Sequence, residues 1–234
     1  SKGAQDVGLH VFPIEGLLDA SWYNRTFWMY SQRWPGFQLA NQAPKCGQIL
    51  VVDGENTYAL RVFYRRNVHS LMFFPAKEGY LLFADRNTNE PQIVGEEGSR
   101  KPVGWLPQSH IPRSGNPGLD AKSFGVDKWI GYTRAEPPLW AEWLPIRGRA
   151  MVKAGDVLFV AGPPDVLDPD DPVGALEGRK GARLAAVSAA SGKKLTERGL
   201  DAPPIFDGLI AAGGRLLVSL EDGSLVCLGG QPGR

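Results

Sequence analysis

Two clusters of side chains in this sequence have types and spacing that could carry chemistry. The first is Asp165, Asp168, Asp170 and Asp171, interleaved with prolines between Pro164 and Pro172. Clustered carboxylates are what a hard cation such as calcium requires, because it is held by oxygen ligands. The EF-hand spacing is absent, with no glycine at the sixth loop position and no closing glutamate. Asp-Pro pairs also form turns, so a solvated loop is the expectation and a calcium site the competing reading. The second cluster is Asp19, Trp22, Tyr23, Asn24, Arg25, Trp28, Tyr30, Arg33 and Trp34. Exposed Trp and Tyr faces flanked by Asp, Asn and Arg suit a sugar or another polar ligand. Asp19, Trp22, Tyr23, Arg25, Trp28, Arg33 and Trp34 are the candidate ligand-binding residues. The competing reading is that alternate residues of a strand pack between sheets while the others pair across strands.

Other reactive groups are scattered. Trp129, Trp140 and Trp143 flank a Pro-rich stretch and are expected as anchors between sheets. His10, His69 and His110 lie in separate segments without metal-ligand spacing. Cys46 and Cys227 are the only cysteines; they form either one long-range disulfide or two buried thiols. No GxSxG, GxGxxG, Walker A or HExxH motif occurs. No catalytic residue is named.

The elements that must position these groups are strands. The chain has 234 residues, of which 29 are Gly and 19 Pro, a share natural for many short strands joined by turns. Its formal net charge is +1, so bulk electrostatics gives no sign of a polyanion-binding surface, and no nucleic-acid partner is expected. No apolar run reaches the roughly 18 residues of a membrane helix. The sequence begins at Ser1 without a visible signal peptide or initiator Met, and it is expected to be part of something longer.

The stretch from Arg149 to Gly230 contains one unit written twice. Arg149 to Val160 aligns without gaps with Asp207 to Val218, each a strand, a Gly-centred turn and a second strand. Leu184 to Leu195 between them is again strand, small-residue turn, strand. Gly47 to Leu60 is a further hairpin, with Asp53-Gly54 as the dipeptide a tight turn favours because Gly adopts positive φ. Asp222-Gly223 plays the same part near the end. Gly79 to Ala84 is a fainter echo. Residues 86–128 are polar and aperiodic, a surface excursion. Val7 to Ile14 is an apolar segment that Pro13 confines to a sheet edge. Pro172 to Glu177 is the best short helix candidate.

The two aligned units start 58 residues apart, and Pro163 to Lys180 is an insertion of 18, leaving a period of 40. A period of about 40 to 45 residues with four strands per unit is that of a β-propeller blade. The predicted fold is therefore all-β: a propeller of four-stranded antiparallel blades over residues 1–234. Three to four blades fit this length, as part of a larger ring. Residues 163–182 are expected to project as a mobile loop. The last hairpin, Leu216 to Leu228, supplies inner and middle strands only, so a strand from elsewhere is expected to complete it.

Ala186-Val187-Ser188-Ala189-Ala190-Ser191-Gly192-Lys193-Lys194-Leu195 resembles the repeat of the quinoprotein-type (PQQ-like) propellers, and Gly223 to Gly229 resembles that family's last hairpin. Gly16 to Tyr58 is similar to a segment found upstream of such repeats in large secreted bacterial proteins of undefined role. The resemblance implies an exported protein, periplasmic or extracellular. The family's enzymes hold pyrroloquinoline quinone and calcium, but this chain has no adjacent-cysteine pair, and it carries Ser188 and Leu195 where they often show Asp and Trp. The expectation is a non-catalytic binding or scaffold propeller without a cofactor, its ring closed by further blades of the same polypeptide or by a second chain. The alternatives are a quinoprotein or carbohydrate-active enzyme working in the central channel, and a glycan-binding module.

Overall fold

Short segments rich in β-branched and small apolar residues, separated by Gly-containing turns, form strands throughout the computed structural model. It describes residues 5–13, 28–34, 45–61, 80–93, 132–134, 136–166 and 168–229. Among these there is no helix. Every paired strand is antiparallel, in two four-stranded, two three-stranded and one two-stranded sheet. The chain divides into two compact units, Ser1–Phe74 with Leu81–Glu142, and Pro75–Tyr80 with Trp143–Arg234.

In the first unit, β1 (Gln5–Pro13), β2 (Trp28–Trp34) and β3 (Cys46–Gly47) form one sheet in that order. The proline-bearing β1 lies at its edge, as Pro13 requires, and pairs with β2 rather than with the C-terminal hairpin. β4 (Ile49–Val52), β5 (Asn56–Arg61), β6 (Tyr80–Arg86) and β9 (Trp140–Leu144) form a four-stranded sheet. Tyr80 to Asp85 are all buried, which explains their nearly unbroken apolar run. β7 (Pro91–Ile93) and β8 (Tyr132–Arg134) make a small two-stranded sheet. Most of the expected excursion over 86–128 lies outside the described residues; its first part continues β6 and enters β7.

The turn at Asp53-Gly54 works differently from expectation. Gly54 does not adopt positive φ. The Asp53 carboxylate instead accepts the backbone amides of Glu55 at 2.9 Å and Asn56 at 2.7 Å, closing the loop as an Asx turn.

The second unit contains the internal repeat. β10 (Ala150–Ala154), β11 (Val157–Gly162), β12 (Ala182–Ser188) and β13 (Lys194–Leu200) form a four-stranded sheet; β14 (Pro204–Ala212), β15 (Arg215–Leu220) and β16 (Leu225–Gly229) form a three-stranded one. Ala154 pairs with Val157 and Ala212 with Arg215, so both hairpins turn at the aligned positions. Gly155, Gly213 and Gly214 take positive φ there. The two sheets share one core of small and branched residues, including Ala150, Leu184, Leu209, Leu216 and Val218. Alanines on the strands let the sheets approach closely. β14 is bulged near Asp207, whose φ of 54° is the one left-handed non-glycine value among the described residues. Burial raises the Asp207 carboxyl above its usual range.

The inserted segment is fastened down, contrary to the expectation of a mobile loop. It forms successive turns, with no helix at Pro172 to Glu177. Ala175 is buried, and the Arg149 guanidinium donates to the Leu176 carbonyl at 2.9 Å while pairing with Glu221. Its start continues the β10–β11 ladder, with Arg147 N–H donating to the Pro163 carbonyl at 2.7 Å and Asp165 N–H to the Pro145 carbonyl at 2.9 Å. Replacing residues 168–180 by a short Gly/Ser linker is expected to lower stability by roughly 1–3 kcal/mol, through the lost burial and the freed Arg149. Thermal melting checks this; an unchanged midpoint would mean these contacts contribute nothing.

Candidate functional site

The densest polar constellation among the described residues of the first unit is one the sequence reading missed. It is built on the turn Asp85-Arg86-Asn87-Thr88-Asn89-Glu90 between β6 and β7, with Lys45 just before β3. Lys45 is 0% exposed. Its ammonium donates to the Asn87 carbonyl at 2.7 Å, the Asn89 carbonyl at 2.8 Å and Glu90 Oε1 at 2.7 Å. An ammonium carries three donors, so these three acceptors use all of them. Glu90 Oε2 accepts from the Ser31 hydroxyl at 2.6 Å and the Gln32 amide at 3.0 Å, tying β2 to the same point. The Asn87 side chain accepts from Thr57 and donates to the Asp53 carbonyl. The Asn89 amide donates to Asp85 Oδ1 and to the Glu136 carbonyl.

Alternating Asp and Asn oxygens at two-residue intervals are the pattern of loops that surround hard cations. Here those side-chain oxygens accept from the protein itself, from Thr57, Asn89 and the Glu136 amide, and it is the Asn87 and Asn89 main-chain carbonyls with Glu90 that hold the chain's own lysine. The spacing Asp85, Asn87, Asn89 was the available signal; what it lacked was any hint that Lys45, forty residues earlier, would fill the loop. With its protons engaged, Lys45 is a structural clamp rather than a nucleophile or base.

A second buried cluster lies in the other unit. Arg147 Nη2 sits 3.1 Å from Asp165 Oδ1, with side-chain exposures of 4% and 0%. The Tyr80 phenol belongs to the same surroundings. Burial pushes its pKa well above the usual range; Arg147 opposes this, Asp165 adds to it and Arg149 opposes it. The phenol therefore stays protonated through the physiological range.

The four aspartates proposed for a metal are thereby distributed. Asp165 is the buried counterion of Arg147. A hydrogen bond from Lys180, at 2.7 Å, is the chief reason Asp168 stays below the ordinary carboxylate range. Asp171 is lowered chiefly by its hydrogen bond from Arg179. Asp170 donates its backbone amide to Asp168. Asp168 and Asp171 are matched by basic residues of the same loop, Asp165 by Arg147 before it, and no group of three His, Cys, Asp or Glu able to hold a metal occurs among the described residues.

Of the aromatic candidates, Asp19, Trp22, Tyr23 and Arg25 lie outside the described residues, as do Trp129, His69 and His110. The backbone of Arg33 and Trp34 belongs to β2, opposite Asp6 and Gln5. Along β2, Met29 and Ser31 are buried while Trp28 and Tyr30 are half-buried, so the strand presents alternate residues to different surroundings. Trp140 meets the Tyr58 ring at 6.2 Å in a tilted arrangement, an anchor within the sheet. His10 is exposed, Cys46 is a buried free thiol and Cys227 an exposed one.

An open groove of about 580 Å³ lies in the second unit between its two sheets. Phe159, Leu184, Leu216 and Leu228 supply its apolar floor, and Thr196 and Arg198 of β13 with Arg215 of β15 its polar lining. Arg198 pairs across the strand with Leu184, a core residue facing the second sheet, which puts its side chain on the groove face.

No protein-family model matches the chain, and no curated protein matches it.

The Lys45 clamp is open to a direct test. Lys45→Met should cost about 3–5 kcal/mol, because it leaves the Glu90 carboxylate without its counterion. Adding Glu90→Gln should recover part of that loss. Urea unfolding of the two variants measures both; equal stability of K45M and the parent would remove the clamp.

Proposed function

We propose that this chain is a non-catalytic binding scaffold, its sheets being blades of a quinoprotein-type β-propeller in an exported bacterial protein. The ring is closed by further blades of the same polypeptide or by a second chain. One observation carries the reading. The buried charged groups described above are turned on one another, Lys45 on Glu90 and Arg147 on Asp165, whereas the open groove between the sheets of the second unit has an apolar floor. Charge held this way secures strands and turns. An apolar recess beside a sheet edge offers area to a partner. The repeated hairpins, in the same register 58 residues apart, support the blade assignment.

A second reading, a glycan-binding module, draws on Trp28 and Tyr30, two half-buried aromatics at alternate positions of β2. A glycan array with parent and Trp28→Ala protein tests it: a saturable hit lost in the variant would favour this reading over the first.

Purified protein titrated with pyrroloquinoline quinone and calcium is expected to give no saturable change in visible absorbance. Saturable binding would overturn the scaffold reading in favour of a quinoprotein enzyme. Expression of the full-length gene in its bacterial host should place the product in the periplasm or medium; recovery only from the cytoplasm would overturn the assignment of export.

A further inference from the structure

The sequence contains three Asp-Gly pairs, Asp53-Gly54, Asp207-Gly208 and Asp222-Gly223. In such a pair the glycine nitrogen, unhindered by a side chain, can close on the aspartate carboxyl carbon and form a five-membered imide. Ring closure needs a carboxyl that is protonated, so that its oxygen leaves as water. The carboxyl must also be free to turn toward the following nitrogen. The fold treats the three pairs differently.

Two of them are restrained. Asp53 Oδ1 accepts the Glu55 amide at 2.9 Å and the Asn56 amide at 2.7 Å. Asp222 Oδ1 accepts the Ser224 hydroxyl at 2.7 Å and the Ser224 amide at 2.9 Å, and these two bonds, the hydroxyl's first, keep its carboxyl below the ordinary range. A carboxylate bonded to donors in this way is stabilised as the anion and fixed in place.

Asp207 has neither restraint. Among the described residues no donor bonds its carboxyl, and partial desolvation raises that group above its usual range although the residue is exposed to water. Its backbone is strained as well, with φ at 54°, where the Cβ of an L residue crowds the main chain. Such a conformation persists only where the surroundings impose it. Here the Asp207 N–H donates to the Arg149 carbonyl at 2.9 Å, and the register of β14 against β15 shifts between Pro204 and Leu209. Gly208 is imposed by the same crowding. It does not take positive φ, but a Cβ there would collide with the Ile205 side chain and lie 3.1 Å from the Ile205 and Ser219 carbonyl oxygens. Packing therefore sets a glycine directly after the strained aspartate.

We infer that Asp207-Gly208 is a self-modification site, at which the main chain of β14 passes through a cyclic imide to isoaspartate. The Gly208 nitrogen bonds to Asp207 Cγ, and its proton leaves with the carboxyl hydroxyl as water. Water then adds back at either imide carbonyl. Opening at the α-carbonyl breaks the original peptide bond, leaves Gly208 joined through the Asp207 side chain and frees the α-carboxylate, with no net change in composition. The extra methylene in the main chain removes the need for an L residue in the left-handed region. It also lengthens the chain between the Arg149 contact and Leu209, where β14 resumes its ladder opposite Val218.

The test incubates the intact chain at neutral pH and body temperature for several weeks, folded and, in parallel, unfolded in guanidinium chloride. Trypsin separates the three pairs into peptides 46–61, 199–215 and 216–234. Electron-transfer fragmentation distinguishes isoaspartate from aspartate in each. In the folded chain isoaspartate should accumulate at 207 at least about tenfold faster than at 53 or 222, since a factor of that order needs only the free energy of a hydrogen bond kept or lost. A species lighter by one water should precede it in the 199–215 peptide. In the unfolded chain the three rates should converge. Equal rates at the three pairs in the folded chain would overturn the proposal, as would the absence of isoaspartate at 207. A preference for 207 that persists unchanged in guanidinium would overturn it too, by assigning the reactivity to the neighbouring sequence and not to the fold.

Discussion

A β-sheet must satisfy two demands at once: its apolar face has to be covered, and the hydrogen-bonding groups of its edges have to be paired or guarded. In the second unit the first demand sets the sequence. Ala150, Ala161 and Ala182 alternate with Leu184, Leu209, Leu216 and Val218 so that two sheets share one core. Bulkier residues at the alanines would hold the sheets apart and uncover the leucines. Gly162 reflects the same crowding from the backbone side, since a side chain there would collide with the Arg147 carbonyl. Among the described residues the second demand is met at β13 by charge, while β16 carries neither charge nor proline.

Buried charge plays a different part in each unit, but under one rule. An ion taken out of water needs a partner and filled hydrogen-bonding positions. Lys45 meets the rule with two carbonyls and a carboxylate, which places the turn after β6 against β2 and β3. Arg147 and Asp165 meet the first half of it, each serving as the other's charge partner across the ladder that leads out of β11 into the inserted segment. Among the described residues, Arg147 Nε and Nη1 and both Asp165 carboxylate oxygens make no hydrogen bond. The insertion is thus held at its base by a buried ion pair and farther along by Arg149. An 18-residue break in a repeat is accommodated without disturbing the hairpins on either side.

What could be read in the sequence was local. The β10–β11 and β14–β15 hairpins were legible because glycines mark their turns at matching positions and the strands between are apolar. The strands β1, β5 and β6 were legible from aromatic and branched runs. The clamp was not, since Lys45 and Glu90 are remote in the chain and each alone resembles an ordinary surface residue. The anchoring of the insertion escaped for the same reason: Pro and Asp content describes what a segment cannot form, while Ala175 and Arg149 decide where it lies. At Asp53-Gly54 the dipeptide was recognised but its mechanism mistaken. The carboxylate closes that turn, and the glycine needs no left-handed conformation.

Five residues without charge or proline, as in β16, would be a liability in a strand whose edge met water, because such a strand invites pairing with any neighbour. β13, at the corresponding outer position of the adjacent sheet, shows how the same unit protects itself when it is terminal: Lys194 and Arg183 converge on Glu197, whose carboxyl is held low chiefly by Lys194. Among the described residues one repeat runs to a charged fourth strand and its successor comprises three strands. The contrast makes the composition of β16 intelligible as that of an inner strand.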